Sequence, residues 1–135
     1  MRAANALTIS LVAAHNSVLA GQVAFSPVTV ASNPARRRVL GLAPIAVTPD
    51  RQRQGIGRAL IRAGLDAARE ASAGAVVLLG SVDYYSRSGF EPAAPRGLTW
   101  GDGSHDIYLQ VIGLVPGALD TLSGTIRYHA AFDSL

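Results

Sequence analysis

Residues 51–58 read RQRQGIGR and join an apolar stretch to a segment with helical periodicity. At the start of a helix the backbone N–H groups have no partner within the helix and carry the positive end of its dipole, so they bind phosphate oxygens well. Gly55 and Gly57 let the backbone approach a ligand, because neither residue carries a Cβ. Arginines fill three of the eight positions and add forked donors suited to phosphate. The stretch predicts an anion site, although two glycines alone are also typical of a tight turn, and Leu60 replaces the third glycine of a dinucleotide fingerprint.

The segment after this loop has the pattern of an amphipathic helix, with apolar and charged side chains on opposite faces. The predicted buried face consists of Ile56, Ala59, Leu60, Ala63, Ala67, Ala68 and Ala71. The predicted solvent face consists of Arg58, Arg62, Asp66, Arg69 and Glu70. We expect Gly74 to end the helix in the left-handed conformation. Because Ala75–Leu79 then reads as a buried strand, the order of strand, loop, helix and strand predicts a right-handed crossover between two parallel strands.

Upstream of the loop, the sequence predicts a hairpin followed by a central strand. Leu7–Ala14 and Val18–Phe25 are rich in apolar and β-branched residues and flank a short polar turn. The stretch 26–38 contains two prolines and is expected to be a connection with at most a short extended piece. Val39–Val47 is apolar on both faces, as in a central strand. Pro44 in its middle predicts a bulge or a neighbouring strand that has moved away, since proline cannot donate to a ladder.

Downstream of the second strand, the sequence predicts short elements. Gly89 is expected to close a helical turn, and Phe90 to return to the core. The predicted elements are a helical turn at Asp83–Ser88, a loop at Glu91–Gly103, a strand at Ile107–Ile112, a helical turn at Pro116–Thr121 and a last strand at Ile126–Ala130.

Composition limits the class of protein. The 135 residues, 49% hydrophobic and 16% charged, fit a single globular domain spanning residues 1–135. All twelve basic residues are arginine, so the absence of lysine excludes a Walker A loop, a kinase ATP site and Schiff-base lysine chemistry. The absence of cysteine excludes disulfides and thiolate nucleophiles. No apolar run approaches a membrane span and no signal peptide is evident, so we expect a cytoplasmic protein that does not bind membranes.

The net charge of +3 raises the possibility of nucleic-acid binding. Only Arg36–Arg38 forms a basic block, and no aromatic residues are interleaved with it. A solvated turn after Asn33-Pro34 accounts better for this block, and no nucleic-acid partner is expected.

Two ordered motifs resemble those of the GNAT superfamily of acetyl-CoA-dependent N-acetyltransferases. The run Gln52-x-x-Gly55-x-Gly57 is similar to the family's Q/R-x-x-G-x-G/A signature. Tyr85-x-x-x-Gly89-Phe90 is similar to its Y-x-x-x-G-F motif. The stretches that resemble the YhbS-like bacterial branch of the family are Ala24–Val28, Leu79–Tyr85 and Leu114–Leu119.

The resemblance implies a fold and a set of functional residues. The fold is of the α/β (α+β) class, a mixed and splayed central sheet with flanking helices. The backbone residues implied to pair with the pantetheine arm of acetyl-CoA are Ile45, Ala46 and Val47. The residues whose amides are implied to bind the pyrophosphate are Gln52, Arg53, Gln54, Gly55, Ile56, Gly57 and Arg58. Tyr85 is implied to protonate the departing thiolate of CoA, and the adjacent Tyr84 is its rival for that role.

The implied reaction is transfer of an acetyl group from acetyl-CoA, as co-substrate, to a primary amine of a small molecule or peptide, by direct attack in a ternary complex. An alternative is a CoA-binding module without turnover, with a sensing or assembly role. No metal is expected. Val39–Val47 contains no carboxylate that would act as the general base, and Asp83, His105 and Asp106 are possible substitutes, so the base stays unassigned.

The chain departs from the family pattern at its start. Family members normally begin with a strand and two helices before the hairpin, about 40 residues by typical element lengths. We therefore expect an N-terminally truncated member whose outer hairpin strand is an exposed edge. Such an edge favours association, so the sequence predicts a homo-oligomer.

Overall fold

The computed structural model describes residues 9–15, 18–47 and 56–128, which contain eight strands, two helices and three 3-10 turns. The strands are β1 Ile9–His15, β2 Val18–Ser32, β3 Arg38–Val47, β4 Ala73–Leu79, β5 Glu91–Pro92, β6 Leu98–Trp100, β7 Leu109–Gly113 and β8 Ser123–Tyr128. The helices are α1 Ile56–Glu70 and α2 Val82–Ser86, and the 3-10 turns lie at Ala94–Arg96, Asp106–Tyr108 and Ala118–Thr121. Neither described helix is long and apolar enough to cross a membrane.

The strands form one mixed sheet in the order β5-β7-β4-β3-β2-β8-β6, with β1 as an additional partner of β2. β1 and β2 are antiparallel, which confirms the predicted hairpin. β3 and β4 are parallel and are connected through α1, as the predicted crossover requires. The predicted mixed α/β (α+β) architecture is therefore confirmed.

The central strands bury both faces, because their side chains alternate between two apolar clusters. Along β4, Val76 and Leu78 belong to the cluster that α1 covers, whereas Ala75 and Val77 belong to the cluster on the other face. The buried residues of the α1 cluster are Val23, Phe25, Leu40, Leu42, Leu60, Ile61, Leu65, Ala68, Ala73, Val76, Leu78, Phe90 and Leu114. Those of the opposite cluster are Val28, Val30, Val39, Ala75, Val77, Ala93, Leu98, Leu109, Val111, Leu122 and Ile126.

The buried face of α1 differs from the predicted face. The buried positions are Gly57, Leu60, Ile61, Gly64, Leu65 and Ala68. Ala59 and Ala63, predicted to be buried, are exposed. The helix is rotated so that Ile61 and Leu65 enter the core, because burying a large aliphatic side chain stabilises more than burying an alanine. A β-carbon on Gly64 would lie 2.2 Å from Cε1 of Phe25, so the helix and the sheet are in close contact.

The end of α1 also differs from the prediction. The residue in the left-handed conformation is Ser72, with φ 66°, whereas Gly74 lies within β4. A β-carbon on Gly74 would lie 3.0 Å from Cδ of Arg37, so this glycine makes room for an arginine side chain. The guanidinium of Arg38 donates a hydrogen bond to the carbonyl of Ala71, one of the acceptors that the end of the helix leaves unpaired.

The basic block 36–38 lies in the turn between β2 and β3 and at the start of β3. Arg36 is exposed in the turn, its N–H bonded to the carbonyl of Asn33 at 2.9 Å. The side chain of Asn33 accepts from the N–H of Arg37 at 2.9 Å and donates to its carbonyl at 2.8 Å. These contacts support the interpretation of the block as a turn.

β2 is longer than the sequence predicted. It extends past Phe25 to Ser32, so the connection predicted for 26–38 is wrong over about half its length. Pro27 lies between Phe25, the last residue paired with β1, and Val28, the first residue paired with β8. On the other edge of β2, Pro27 stays in register with Leu40 of β3, so the proline falls where only one edge of the strand is paired.

The predicted loop 91–103 contains the short strands β5 and β6 and a 3-10 turn. β6 is parallel to β8, with Leu98 opposite Gly124. A three-residue strand shows no periodicity of its own, and its partner is distant in the sequence, so local pattern did not reveal it. β8 begins at Ser123, earlier than predicted, and the predicted residues 129–130 lie outside the described ranges.

Candidate active site

The parallel ladder between β3 and β4 stops partway along β3. Its last pair is Gly41 with Val77. Beyond this pair, in the ranges that the structure describes, β3 is paired only with β2 and β4 only with β7. Main-chain groups on one side of β3 therefore face a gap where a neighbouring strand would satisfy them. This confirms the splayed sheet expected near Pro44.

A bulge in β3 accompanies the splay. Leu42 pairs with Phe25 and Ile45 pairs with Val23, so Ala43–Pro44 lies opposite a single residue of β2. A bulge bends its strand and increases the local twist. The proline therefore lies where the ladder with β2 is irregular and the ladder with β4 has ended, as the sequence predicted.

The predicted cofactor-binding residues fall into three groups. Three of them end β3 in the half that has lost β4: Ile45, Ala46 and Val47. Four lie outside the described residues: Gln52, Arg53, Gln54 and Gly55. The remaining three open α1, where backbone N–H groups have no partner within the helix: Ile56, Gly57 and Arg58.

An open cleft of about 830 Å³ lies along the exposed face of α1 and reaches the segment after α2. Its lining residues are Arg58, Ala59, Arg62, Ala63, Leu65, Asp66, Arg69, Arg87, Ser88 and Ile112. Arg69 donates to Asp66 at 3.1 Å, whereas Arg58, Arg62 and Arg87 have no carboxylate partner among the described residues. With four arginines and one aspartate, the cleft is positively charged and suits an anionic group.

Tyr85 lies on α2, a short helix that follows the C-terminal end of β4. Ser81 caps the start of this helix, and its side chain accepts from the N–H of Tyr84 at 3.3 Å. The Tyr85 ring is partly buried against the α1 cluster and makes edge contacts with the rings of Tyr84 and Phe90, at centroid distances of 4.9 and 6.0 Å. Burial, and to a lesser extent the neighbouring Tyr84, raise the pKa of the Tyr85 phenol above its usual value. Tyr85 therefore keeps its proton at neutral pH and is able to act as a proton donor.

The end of α2 confirms the predicted turn. Gly89 has φ 97°, a conformation that residues with a β-carbon rarely adopt, and Phe90 is buried. The N–H groups of Ser88 and Phe90 both donate to the carbonyl of Tyr85, at 2.9 and 3.4 Å. The turn at Gly89 thus brings the chain back to the main-chain carbonyl of Tyr85. Tyr84, with 38% of its surface exposed, has no comparable enclosure.

Two residues beside Tyr85 were not among the predicted site residues. A β-carbon on Gly80 would lie 2.5 Å from Cε2 of Tyr85, so the phenol ring rests directly on the main chain of this glycine. The carbonyl of Gly80 accepts from Nε2 of Gln110 at 3.0 Å. A glutamine inside the apolar strand β7 is the signal in the sequence that would have identified it.

The candidate general bases have other partners or are exposed. Asp106 accepts from the hydroxyl of Thr99 at 2.6 Å and from the N–H of Trp100 at 2.9 Å, so it holds the loop after β6. His105 is exposed, with Nδ1 3.0 Å from the hydroxyl of Ser104. Asp83 is exposed on the first turn of α2. The described residues contain no cluster of three His, Asp or Glu side chains arranged to hold a metal ion.

Apolar side chains surround the end of β4. The exposed large hydrophobic residues of β4, α2 and the 3-10 turn before β7 are Leu79, Val82, Tyr84, Ile107 and Tyr108. The 3-10 turn is attached to β4 by a hydrogen bond of 3.0 Å from the N–H of Gly80 to the carbonyl of Tyr108. Exposed apolar side chains are therefore concentrated in the elements that form or contact the C-terminal end of β4.

Comparison with known proteins gives a consistent result. Residues 2–90 match the family model described as acetyltransferase (GNAT) family. Over 128 residues the chain is 38% identical to the Escherichia coli K12 protein named uncharacterized N-acetyltransferase YhbS, covering 94% of this chain and 75% of that protein.

Solved structures agree with the sequence comparison. The crystal structure of Escherichia coli YhbS in complex with CoA has a TM-score of 0.82 and 37% identity, covering 92% of this chain and 68% of that one. A GNAT family acetyltransferase from Brucella melitensis in complex with acetyl-CoA has a TM-score of 0.73 and 42% identity, covering 98% of this chain and 73% of that one. With the splayed sheet and the Tyr85 motif, these similarities show that the chain belongs to the GNAT family of N-acetyltransferases.

Proposed function

We propose that this chain transfers an acetyl group from acetyl-CoA to a primary amine, by direct attack in a ternary complex. The observation that carries the proposal is the gap between β3 and β4, with the start of α1 following one strand and the partly buried Tyr85 following the other. The two similar structures with 37% and 42% identity contain CoA and acetyl-CoA, which supports the same ligand here.

The half of β3 that has lost β4, Leu42–Val47, is proposed to hold the pantetheine arm. Ile45, Ala46 and Val47 have main-chain groups that no strand on the β4 side satisfies within the described ranges. An extended chain with amide groups, such as pantetheine, is able to pair with them as an added strand. The pyrophosphate is then proposed to bind the amides of residues 52–58 at the positive end of α1.

The arginine-lined cleft is proposed to receive the remaining anionic part of CoA. The cleft begins at Arg58, in the first turn of α1, and continues along the helix. CoA carries a phosphate on its ribose in addition to the pyrophosphate, and Arg62 and Arg87, which form no ion pair within the described part of the chain, offer guanidinium groups for it. Ala59 and Ala63 are exposed, and their short side chains leave room between the arginines for the adenosine.

The proposed chemistry uses Tyr85 as the general acid. The neutral amine attacks the thioester carbonyl, and the tetrahedral intermediate collapses with cleavage of the C–S bond. The departing sulfur takes the proton of the Tyr85 hydroxyl, the amine loses a proton to solvent, and solvent returns a proton to Tyr85. Because cysteine is absent, the chain has no thiol to form a covalent acetyl intermediate.

We further propose that residues 1–135 form one cytoplasmic domain that associates with itself. The single sheet, with two apolar clusters that share its central strands, supports one domain. Strand β1, which pairs only with β2 in the described ranges, offers an edge to a second copy. Size-exclusion chromatography with light scattering is expected to give a dimer or larger species, and a monomer at all concentrations contradicts association.

The function is tested by binding and turnover in sequence. CoA and acetyl-CoA are expected to raise the melting temperature by mass action. Release of free CoA thiol is then measured with a panel of small amines, aminoglycosides, peptides and lysine-containing proteins. Binding without thiol release from any amine would favour the alternative, a CoA-binding module.

Tyr85→Phe and Tyr84→Phe form a matched pair, since each removes one hydroxyl from adjacent residues. Tyr85→Phe is expected to lower kcat by about 10²-fold or more while CoA binding is unchanged. Tyr84→Phe is expected to leave kcat within about threefold, an expectation that follows from its greater exposure. Equal rates in Tyr85→Phe and the unmodified chain contradict the assignment of the acid.

A further inference from the structure

Gln110 is the buried polar side chain that the proposed chemistry leaves unexplained. It is 0% exposed, and no other polar or charged residue in the described ranges is buried. Its Nε2 donates to the carbonyl of Gly80, while its Oε1 has no hydrogen-bond partner among the described residues. The carbonyl requires a donor, which fixes the orientation of the amide. A buried acceptor without a partner costs stability that an apolar side chain of similar size would not, so the contribution of Gln110 lies in its bond to Gly80.

Both polar groups of the Gly80 main chain are held. Its N–H donates to the carbonyl of Tyr108 at 3.0 Å, and its carbonyl accepts from Gln110 at 3.0 Å. Gly80 is the first residue after β4, beyond the last pair of that strand with β3. The two bonds therefore fix the main chain at the point where β4 leads into α2.

The Tyr85 ring rests on this fixed point. A β-carbon on Gly80 would lie 2.5 Å from Cε2 of Tyr85, closer than side chains tolerate, and 3.1 Å from Cδ2. The rings of Tyr84 and Phe90 contact Tyr85 at their edges. A displacement of Gly80 therefore changes the surface on which the phenol ring rests.

We propose that Gln110 is a positioning residue for acetyl transfer, which holds the Gly80 carbonyl and thereby fixes the Tyr85 ring in the place from which its hydroxyl protonates the departing thiolate. This inference rests on the proposed function. Gln110 itself does not contact the reacting atoms. Its effect is on geometry, and a displacement of about 1 Å in a reacting group is able to lower a rate by about 10²-fold.

The test combines Gln110→Met with Tyr85→Phe. Methionine has nearly the volume of glutamine and removes both the donor and the unpaired acceptor. Gln110→Met is expected to lower kcat about 10-fold, with KM for acetyl-CoA changed less than about twofold and the melting temperature within about 3 °C of the unmodified chain. In the Tyr85→Phe background it is expected to have no further effect on kcat, because the group it positions is absent.

The matched control is Leu109→Met, on the same strand and equally buried but in the opposite apolar cluster. It is expected to leave kcat unchanged. An equal loss from Gln110→Met in both backgrounds, or no loss in either, overturns the positioning role and leaves the proposed function in place.

A second measurement does not depend on turnover. The ring resonances of Tyr85 in protein with carbon-labelled tyrosine, identified by their loss in Tyr85→Phe, are expected to move in Gln110→Met and to stay in place in Leu109→Met. Unmoved resonances in Gln110→Met overturn the proposal even if the unmodified chain proves inactive. If the Tyr85 resonances move in Gln110→Met as expected but the unmodified chain releases no thiol, the proposed function has failed.

Discussion

The two halves of strand β3 have the same apolar character and different surroundings. Over Arg38–Gly41 the strand lies between β2 and β4, and Leu40 is fully buried beneath α1. Over Leu42–Val47 the strand keeps β2 and has lost β4. We refer to these as the paired half and the open half. The difference shows that an apolar strand either completes its pairing in the core or leaves main-chain groups without a strand partner, according to where its ladder stops, and a bulge at Pro44 lies just beyond that place.

The largest expected effect is in the paired half. Leu40→Ala is expected to reduce the free energy of unfolding by about 2–5 kcal/mol, because the buried side chain leaves a cavity. Leu79→Ala, at the open end of β4 and 41% exposed, is the control and is expected to cost less than about 1 kcal/mol. Urea denaturation followed by circular dichroism measures both. Similar losses in the two variants would contradict the difference between the paired half of β3 and the end of β4 that has lost β3.

A smaller effect is expected where α1 packs against Phe25, which pairs with Leu42 at the start of the open half. Gly64→Ala is expected to destabilise the fold by about 1–3 kcal/mol, because the new β-carbon would meet the ring of the fully buried Phe25. Helix propensity alone has the opposite sign and would stabilise the chain by about 1 kcal/mol. Thermal unfolding of Gly64→Ala beside the unmodified chain decides between them, and a higher melting temperature would show that Phe25 moves aside freely.

The arginines of the cleft and those of the turn before β3 extend the comparison to the surface of the protein. Arg62 lines the cleft, whereas Arg36 lies in the turn before the paired half. Arg62→Gln is expected to weaken CoA binding by about fivefold at low salt, equivalent to about 1 kcal/mol, and less at high salt. Arg36→Gln is expected to have no effect. Calorimetric titration with CoA and with dephospho-CoA measures both variants, and if Arg62→Gln weakens both ligands equally, Arg62 does not bind the ribose phosphate.

The smallest expected effect is on the pH dependence near neutrality. A general acid acts while it is protonated, and its contribution is lost as pH rises through its pKa in the folded protein. Burial raises the pKa of Tyr85 above its usual value near 10, so Tyr85 causes no fall in kcat below about pH 10. The profile is measured by thiol release with an amine at saturation. A falling limb between about pH 7 and 9 that disappears in Tyr85→Phe would contradict the burial of this phenol.

The sequence predicted the features that local chemistry determines. The strand, loop and helix order, the irregularity at Pro44 and the turn closed by Gly89 all follow from residues that are neighbours in the chain. The rotation of α1 was missed because alanines such as Ala59 are compatible with either face of a helix, and contact with the sheet decides.

Gln110 was missed for a related reason. Its partner, the carbonyl of Gly80, is 30 residues away in the sequence, and only the pairing of β4 with β7 brings the two together. A polar residue in an apolar strand marks Gln110 as unusual, but its partner is set by tertiary structure, which a local pattern does not contain.

The central claim is that the open half of β3 binds the pantetheine arm through its main chain. Hydrogen–deuterium exchange with and without saturating CoA tests it most directly. The account predicts new protection of amides within Ile45–Val47 when CoA is added, with no change over Arg38–Gly41, where the ladder to β4 is already complete. Unchanged exchange over Ile45–Val47 at saturating CoA would contradict it.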